Sequence, residues 1–139
     1  MSAKKHLPVL FVDDDSIAHD LIDHYLEGWK VHHSYSAEDA LELMEKENIS
    51  IVITDIFMEE MDGIDFTKKI KILRNTVQVI IITGDSNMNN LINALDVGAN
   101  DFLVKPLKKE TLLDALESTE AKIIRWKKAL KDLFSKKRK

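Results

Sequence analysis

Four short runs rich in β-branched residues, VLFV (9–12), ISIVIT (49–54), VQVIIIT (77–83) and DFLVK (101–105), with a weaker fifth at WKVHHSY (29–35), are separated by stretches of helical spacing. Three of the runs are nearly continuous in apolar residues instead of alternating, the pattern of a strand covered on both faces. Between them, Ile17, Leu21, Tyr25 and Leu26 form an apolar face that Ser16 is placed to cap and Gly28 to end. Ala37, Ala40, Leu41 and Met44 form a second face, Ile64, Thr67, Ile70 and Leu73 a third, and Leu91, Ala94 and Leu95, with Gly98 as the stop signal, a fourth. Strand and helix alternate five times. Connections of a few residues then predict an α/β fold, a parallel sheet with helices on both faces, because right-handed crossovers lay successive helices over the sheet. A length of 139 residues suits one such domain with its own core.

Sheets of this kind bind ligands at the carboxyl ends of their strands. Asp13 and Asp14 end the first run, Asp55 the ISIVIT run, Thr83 the VQVIIIT run and Lys105 the last, so all five polar residues converge on one edge. Gathered carboxylates repel one another unless a cation neutralises them, and an all-oxygen set suits Mg²⁺ or Ca²⁺. A lysine and a hydroxyl at neighbouring strand ends add a positive charge and a donor for phosphate. An aspartate beside Mg²⁺ is a competent nucleophile for phosphoryl transfer. The third aspartate, Asp15, with Ser16, reads as the start and cap of the first helix, and Asp62 with Gly63 as the opening of the third.

VDDD after the first strand, ITDIFMEEMDGIDF around Asp55, VIIITGD with Thr83, and GANDFLVKP with Lys105 and Pro106 resemble the receiver domain of two-component response regulators, chemotaxis regulators among them, over about residues 7–120. The resemblance implies a flavodoxin-like, doubly wound five-stranded parallel sheet of order 2-1-3-4-5 with five helices, the last one extended. It implies that Asp55 is the phosphoacceptor, taking a phosphoryl group from a sensor histidine kinase or histidine phosphotransfer protein. Asp13, Asp14, Asp55 and the backbone carbonyl of Phe57 are then expected to hold Mg²⁺. Lys105 would pair with the phosphoryl oxygens beside a cis bond to Pro106. Thr83 and Phe102 would carry the switch to the face around the fourth helix, fifth strand and fifth helix. Asp55, Lys105 and Thr83 would together make the protein promote its own phosphorylation and slow dephosphorylation as a regulator, with a protein contact and not a turned-over substrate as its output. Glu59 stands where the family usually has proline, and Gly84 where alanine or another small residue is usual.

Other readings are weaker. Phosphoaspartate-forming hydrolases place a second acid two residues after the nucleophile, where this chain has Phe57. A phosphate-independent, receiver-like dimerisation module is the alternative function, and the intact set of Asp13, Asp14, Asp55, Thr83 and Lys105 weighs against it. His6, His19, His24, His32 and His33 show no ligand spacing and read as structural or exposed, with the adjacent His32 and His33 pointing to opposite faces of a strand. With no cysteine, neither disulfides nor thiolate ligands contribute.

Charge divides the chain. Residues 1–121 carry 23 acidic and 11 basic side chains, a net of −12, whereas from Lys122 onward nine Lys or Arg stand against one acid. Residues 1–121 are read as the receiver and 122–139 as an extended C-terminal helix with a basic end. Leu112, Leu116, Thr119, Ile123, Trp126, Leu130 and Leu133 make a heptad seam, which predicts a homodimer through that helix or a link to an output domain. The acidic receiver argues against direct nucleic-acid binding, and SKKRK lacks aromatic interleaving. No membrane-spanning or export segment is recognised, so a cytoplasmic location is expected.

Overall fold

Every apolar run becomes a strand and every intervening segment a helix in the computed structural model, which describes residues 5–85 and 87–137. The order is β1 (Val9–Val12), α1 (Ser16–Tyr25), β2 (Val31–Ser34), α2 (Ala37–Lys46), β3 (Ile51–Asp55), α3 (Gly63–Leu73), β4 (Gln78–Thr83), α4 (Met88–Asp96), β5 (Asp101–Val104) and α5 (Lys109–Lys137). All strand pairs are parallel, in the order β2-β1-β3-β4-β5. The flavodoxin-like, doubly wound sheet expected from the sequence is therefore present.

β1, β3 and β4 read as nearly continuous apolar runs because each alternates between two dry faces. Leu10, Val12, Val52, Val79 and Ile81 pack with Ala37, Ala40, Met44, Phe66, Ile70 and Ala94 from α2, α3 and α4. Val9, Phe11, Ile51, Ile53, Ile80 and Ile82 face the other way, onto Ile22 of α1 and Leu112, Leu116 and Ile123 of α5. Register aligns Val12 with Thr54, Asp55 with Ile82, and Thr83 with Val104, so the polar residues that follow lie along one edge.

Side-chain oxygens satisfy the first turns of four helices. Asp15 accepts from Ile17 N–H at 3.0 Å, Ser36 from Asp39 N–H at 3.1 Å, Asp62 from Asp65 N–H at 2.8 Å and Asn87 from Asn90 N–H at 2.8 Å. Asp15, not Ser16, is thus the cap of α1, and Ser16 is its first helical residue.

The apolar face expected for α1 is corrected. Its buried side chains are His19 and Ile22, followed by Leu26 just past its end, whereas Ile17 is 75% exposed and Leu21 is exposed as well. The core stripe runs 19, 22, 26, and a purely aliphatic reading misses it because a histidine occupies its first position. Leu73 of α3 and Leu95 of α4 also face outward, while Thr67, Ile70 and Ala94 of the expected faces are buried. Gly28 follows α1 at φ 91°, in the left-handed region glycine favours.

At the opposite end of the sheet, His6 stacks on Trp29 with ring centroids 3.6 Å apart, and its Nδ1 lies 3.0 Å from Glu120 Oε1. Leu7 N–H donates to Glu120 Oε2 at 2.7 Å, which joins the segment before β1 to the middle of α5. Beyond that point α5 continues unbroken. Leu112, Leu116, Thr119 and Ile123 are buried on the sheet, but Trp126, Leu130, Leu133 and Phe134 are exposed. Trp126 and Leu130 overhang a groove of about 420 Å³ floored by Ile49, Val77 and Ile123. Arg138 and Lys139 of the basic end lie outside the described residues.

Candidate functional site

Asp13 and Lys105 immediately follow β1 and β5, and Asp55 closes β3, so β1–β3 pairing sets the two aspartates side by side while the long Lys105 side chain reaches back to them from the far side of β4. Lys105 Nζ stands 3.4 Å from Asp13 Oδ2 and 3.4 Å from Asp55 Oδ2. Both contacts are longer than a charge-assisted hydrogen bond at its best, so one ammonium is shared between two carboxylates and saturates neither. Asp13 is buried, and its Oδ1 accepts from Asp15 N–H at 2.9 Å. Asp55 is also buried, and its Oδ1 has no hydrogen-bond partner. A buried carboxylate oxygen left this way is costly unless something else occupies it.

Electrostatics follow from that sharing. Burial raises the Asp55 carboxyl above the usual carboxylate range, the Lys105 charge opposes this, and the neighbouring Asp13 charge adds to it, leaving a net rise. Burial pulls the Lys105 ammonium down, but Asp13 and Asp55 outweigh it and hold the lysine above its ordinary value. The two directions are compatible because the lysine profits from two carboxylates while Asp55 has only a share of one cation.

The other residues singled out by sequence are placed around this pair. Asp14 is exposed at the rim. Thr83 is fully buried, and its hydroxyl accepts from Asp85 N–H at 3.1 Å, so it is engaged along its own loop. Phe102 is partly buried against the α2–α3–α4 side of the core, and Phe57 is half exposed. The Lys105–Pro106 bond is cis, as expected. A Cβ at Gly84 would meet only Lys105 Cδ, at 4.0 Å, so space does not demand glycine there.

The loop from β3 to α3 wraps under the site. Gly63 N–H donates to the Ile56 carbonyl at 2.8 Å, and a Cβ at Gly63 would overlap the Asp55 carbonyl oxygen, so glycine is required for this approach. Glu60, next to the unusual Glu59, has φ 65°, a left-handed conformation rare for a residue with a side chain.

Among the described residues, no three histidine or acidic side chains are gathered closely enough to chelate a metal between them. What the site offers is two buried carboxylates, one with an unpartnered oxygen, beside an exposed third. That all-oxygen donor set fits Mg²⁺, which takes one or two carboxylates and keeps several waters.

The histidines are structural or exposed as expected, with His32 and His33 on opposite faces of β2, but the contacts of His19 and His33 were not legible in the sequence. His19 is buried, its Nε2 lies 2.8 Å from the Asp13 carbonyl oxygen, and its Nδ1 lies 2.6 Å from His33 Nδ1. His33 Nε2 in turn reaches Asp23 Oδ1 at 2.7 Å. The positions 19 and 33 are separated by a helix end and a loop, so no spacing rule pairs them; only the packing of α1 beside β2 does.

Comparison with known proteins places these observations in context. The family model for the response regulator receiver domain matches residues 9–117. The transcriptional regulatory protein ZraR of Salmonella typhimurium is 36% identical over 117 residues, 83% of this chain and 26% of that protein. The regulatory protein VanR of Enterococcus faecium is 32% identical over 122 residues, 86% of this chain and 51% of that protein. This chain thus spans about a quarter of the ZraR relative and half of the VanR one. Among solved structures, a CheY-like receiver domain protein from Methanospirillum hungatei superposes with a TM-score of 0.82 at 26% identity, covering 87% of this chain and 98% of that one. NtrX from Brucella abortus superposes with a TM-score of 0.83 at 27% identity, over 92% of this chain and 30% of that one.

Proposed function

The chain belongs to the response regulator receiver domain family, and from that premise we propose that it is a phosphorylation switch in which Asp55 accepts a phosphoryl group from a histidine kinase or a histidine phosphotransfer protein. The observation that carries this reading is the shared lysine: Lys105 stands 3.4 Å from both Asp13 and Asp55, while Asp55 Oδ1 is left without a partner. In the transfer, an Asp55 carboxylate oxygen forms the new bond to phosphorus as the bond from phosphorus to the donor's imidazole nitrogen breaks. The electron pair of that bond stays on the imidazole. Lys105 is placed to follow the added charge from carboxylate to phosphoryl oxygen, and burial of Asp55 keeps the field of that lysine strong.

Mg²⁺ is the proposed cofactor, held by Asp13 and Asp55 with Asp14 at the rim and the Phe57 carbonyl, and it supplies charge neutralisation at the transferring group. The Thr83 hydroxyl exchanges its Asp85 contact for a phosphoryl oxygen, and Phe102 moves further into the core behind it, a two-state element biased by local charge. Thr83 and Lys105 assist both phosphorylation and its slow reversal, and the output is a protein contact, not turnover of a substrate. The kinase or phosphotransfer protein is the upstream partner, and the cytoplasm is the proposed location. Among the described residues no helix is long and apolar enough to cross a membrane.

The exposed seam of Trp126, Leu130 and Leu133 favours a homodimer through α5, or a connection to an output domain, as the recipient of the switch. Incubation with Mg²⁺ and a small acyl phosphate, beside Asp55→Asn, tests the central claim by intact mass. One phosphoryl group per chain is expected, and none on the variant. No incorporation from the acyl phosphate or from a competent kinase would overturn it and favour the phosphate-independent dimerisation module.

A further inference from the structure

One apolar stripe of α5 serves two different surroundings. Leu112, Leu116 and Ile123 are buried against the sheet, and Trp126, Leu130 and Leu133 continue the stripe at heptad spacing while 43%, 56% and 58% exposed. Because the stripe is continuous, the receiver stands on the same side of the helix that the exposed half presents. That half therefore looks into the space beneath the receiver. The groove of about 420 Å³ lies in this corner, with Trp126, Lys127 and Leu130 on the arm side and Ser50, Thr76, Ile49 and Val77 on the receiver side. Contiguous apolar surface left open in this way marks an interaction site.

That placement restricts how a second copy can cover the seam. A parallel partner helix laid along the stripe would run, above Ile123, into the space the sheet already fills. An antiparallel partner meets no such obstacle. Its arm enters from below, overlaps only the exposed half and ends in the corner groove. Two arms related by a two-fold axis then each fill the other's groove, an isologous contact that closes on itself. Charge separates the orientations too. Residues 1–121 carry a net of −12, and from Lys122 onward nine Lys or Arg stand against one acid. Either orientation sets cationic arms side by side, but only the antiparallel one returns each basic end to an acidic receiver.

We propose, resting on the α5 homodimer reading above, that the groove beneath the receiver is the seat of a second copy's arm in an antiparallel homodimer. Ile123 and Leu130 share one heptad position and Trp126 and Leu133 the other, and antiparallel helices set one kind against the other. Trp126 then packs on the other copy's Leu130, and Leu133 of one arm enters the groove of the other copy over Ile49, Val77 and Ile123. Phe134, 66% exposed and one residue past the seam, adds its ring at the same place. The interface thus includes residues of the receiver body, not of α5 alone.

The chain has no cysteine, so single cysteines in the full chain report contacts between copies without background. Ser50→Cys and Thr76→Cys label the groove, and Leu133→Cys labels the arm. Oxidation of an equimolar mixture of Leu133→Cys with either groove variant is expected to give the mixed disulfide, and Leu133→Cys alone is expected to stay largely uncoupled. Thr76→Arg, an exposed change outside α5 that adds bulk and a like charge against the incoming arm, is expected to weaken dimerisation about tenfold or more by light scattering, with the far-ultraviolet circular dichroism unchanged. A dimeric parent whose Leu133→Cys couples mainly to itself would keep the α5 dimer and overturn the antiparallel seat. Parent-like dimerisation of Thr76→Arg, or a dimer that forms neither disulfide, would overturn the seat as well. A monomeric parent would overturn the dimer reading and the seat together.

Discussion

Asp55 is a residue whose burial works against its own charge. Its carboxyl is raised by burial more than the shared Lys105 lowers it, so holding it ionised costs folding free energy. For a group raised in the folded state, the stabilisation from protonation is full below the unfolded pKa and is lost as pH rises through the folded one. Asp55→Asn is therefore expected to raise Tm at neutral pH, with the gain shrinking as pH is lowered; calorimetry across that range checks it. Glu60 presents a separate strain. At φ 65° it occupies a conformation better suited to glycine, so Glu60→Gly is expected to stabilise by about 0.5–1 kcal/mol, read as a shift in the denaturant midpoint. Asp13, Asp55, Thr83 and Lys105 were identifiable from sequence because each ends or follows a strand, where backbone pairing dictates position. Thr83's engagement with Asp85 and the conformation of Glu60 were not, since loop dihedrals have no counterpart in hydrophobic pattern.

At the scale of elements, α1 is the instructive case. The inner strands β1, β3 and β4 follow the simple rule that a run covered on both faces is nearly apolar throughout, and all five strands were anticipated within a few residues. A helix carries a finer signal. In α1, Ile17 and Leu21 looked like core, yet the buried stripe runs through His19, Ile22 and Leu26. A polar residue that belongs inside for its hydrogen bonds shifts the inferred face. Ile22→Ala is consequently expected to cost 2–4 kcal/mol by urea unfolding, whereas Ile17→Lys is expected to change stability by roughly 0.5 kcal/mol or less. The exposed Ile17 and Leu21 instead line a groove of about 310 Å³ with Pro106 and Leu107, directly beside Lys105. On the proposed function a protein phosphodonor would dock beside Lys105 at this groove, so Ile17→Lys is also expected to slow transfer from a protein donor while leaving transfer from a small acyl phosphate unchanged.

For the molecule as a whole, the acidic receiver and its basic C-terminal segment are joined by one uninterrupted helix, α5. A chain stopped after Arg125 retains the buried contacts of Leu112, Leu116 and Ile123 and loses Trp126, Leu130, Leu133 and Phe134. It is expected to keep the parent's free energy of unfolding within about 1 kcal/mol, because the lost side chains are largely exposed. On the proposed dimer through α5, light scattering is expected to give the full chain a dimer's molar mass and this shorter chain a monomer's; equal molar masses would remove α5 from the interface. The anchoring of α5 has a mechanical consequence as well. Its buried half is clamped near the joint by Glu120, which holds His6 and Leu7, while the exposed segment from Ile124 to Lys137 continues as a stiff arm roughly 20 Å long at the usual helical rise. A tilt of about 10° at the clamp would sweep the free tip through roughly 3–4 Å, so a rearrangement too slight to unpack the receiver becomes a displacement as large as a side chain at the far end.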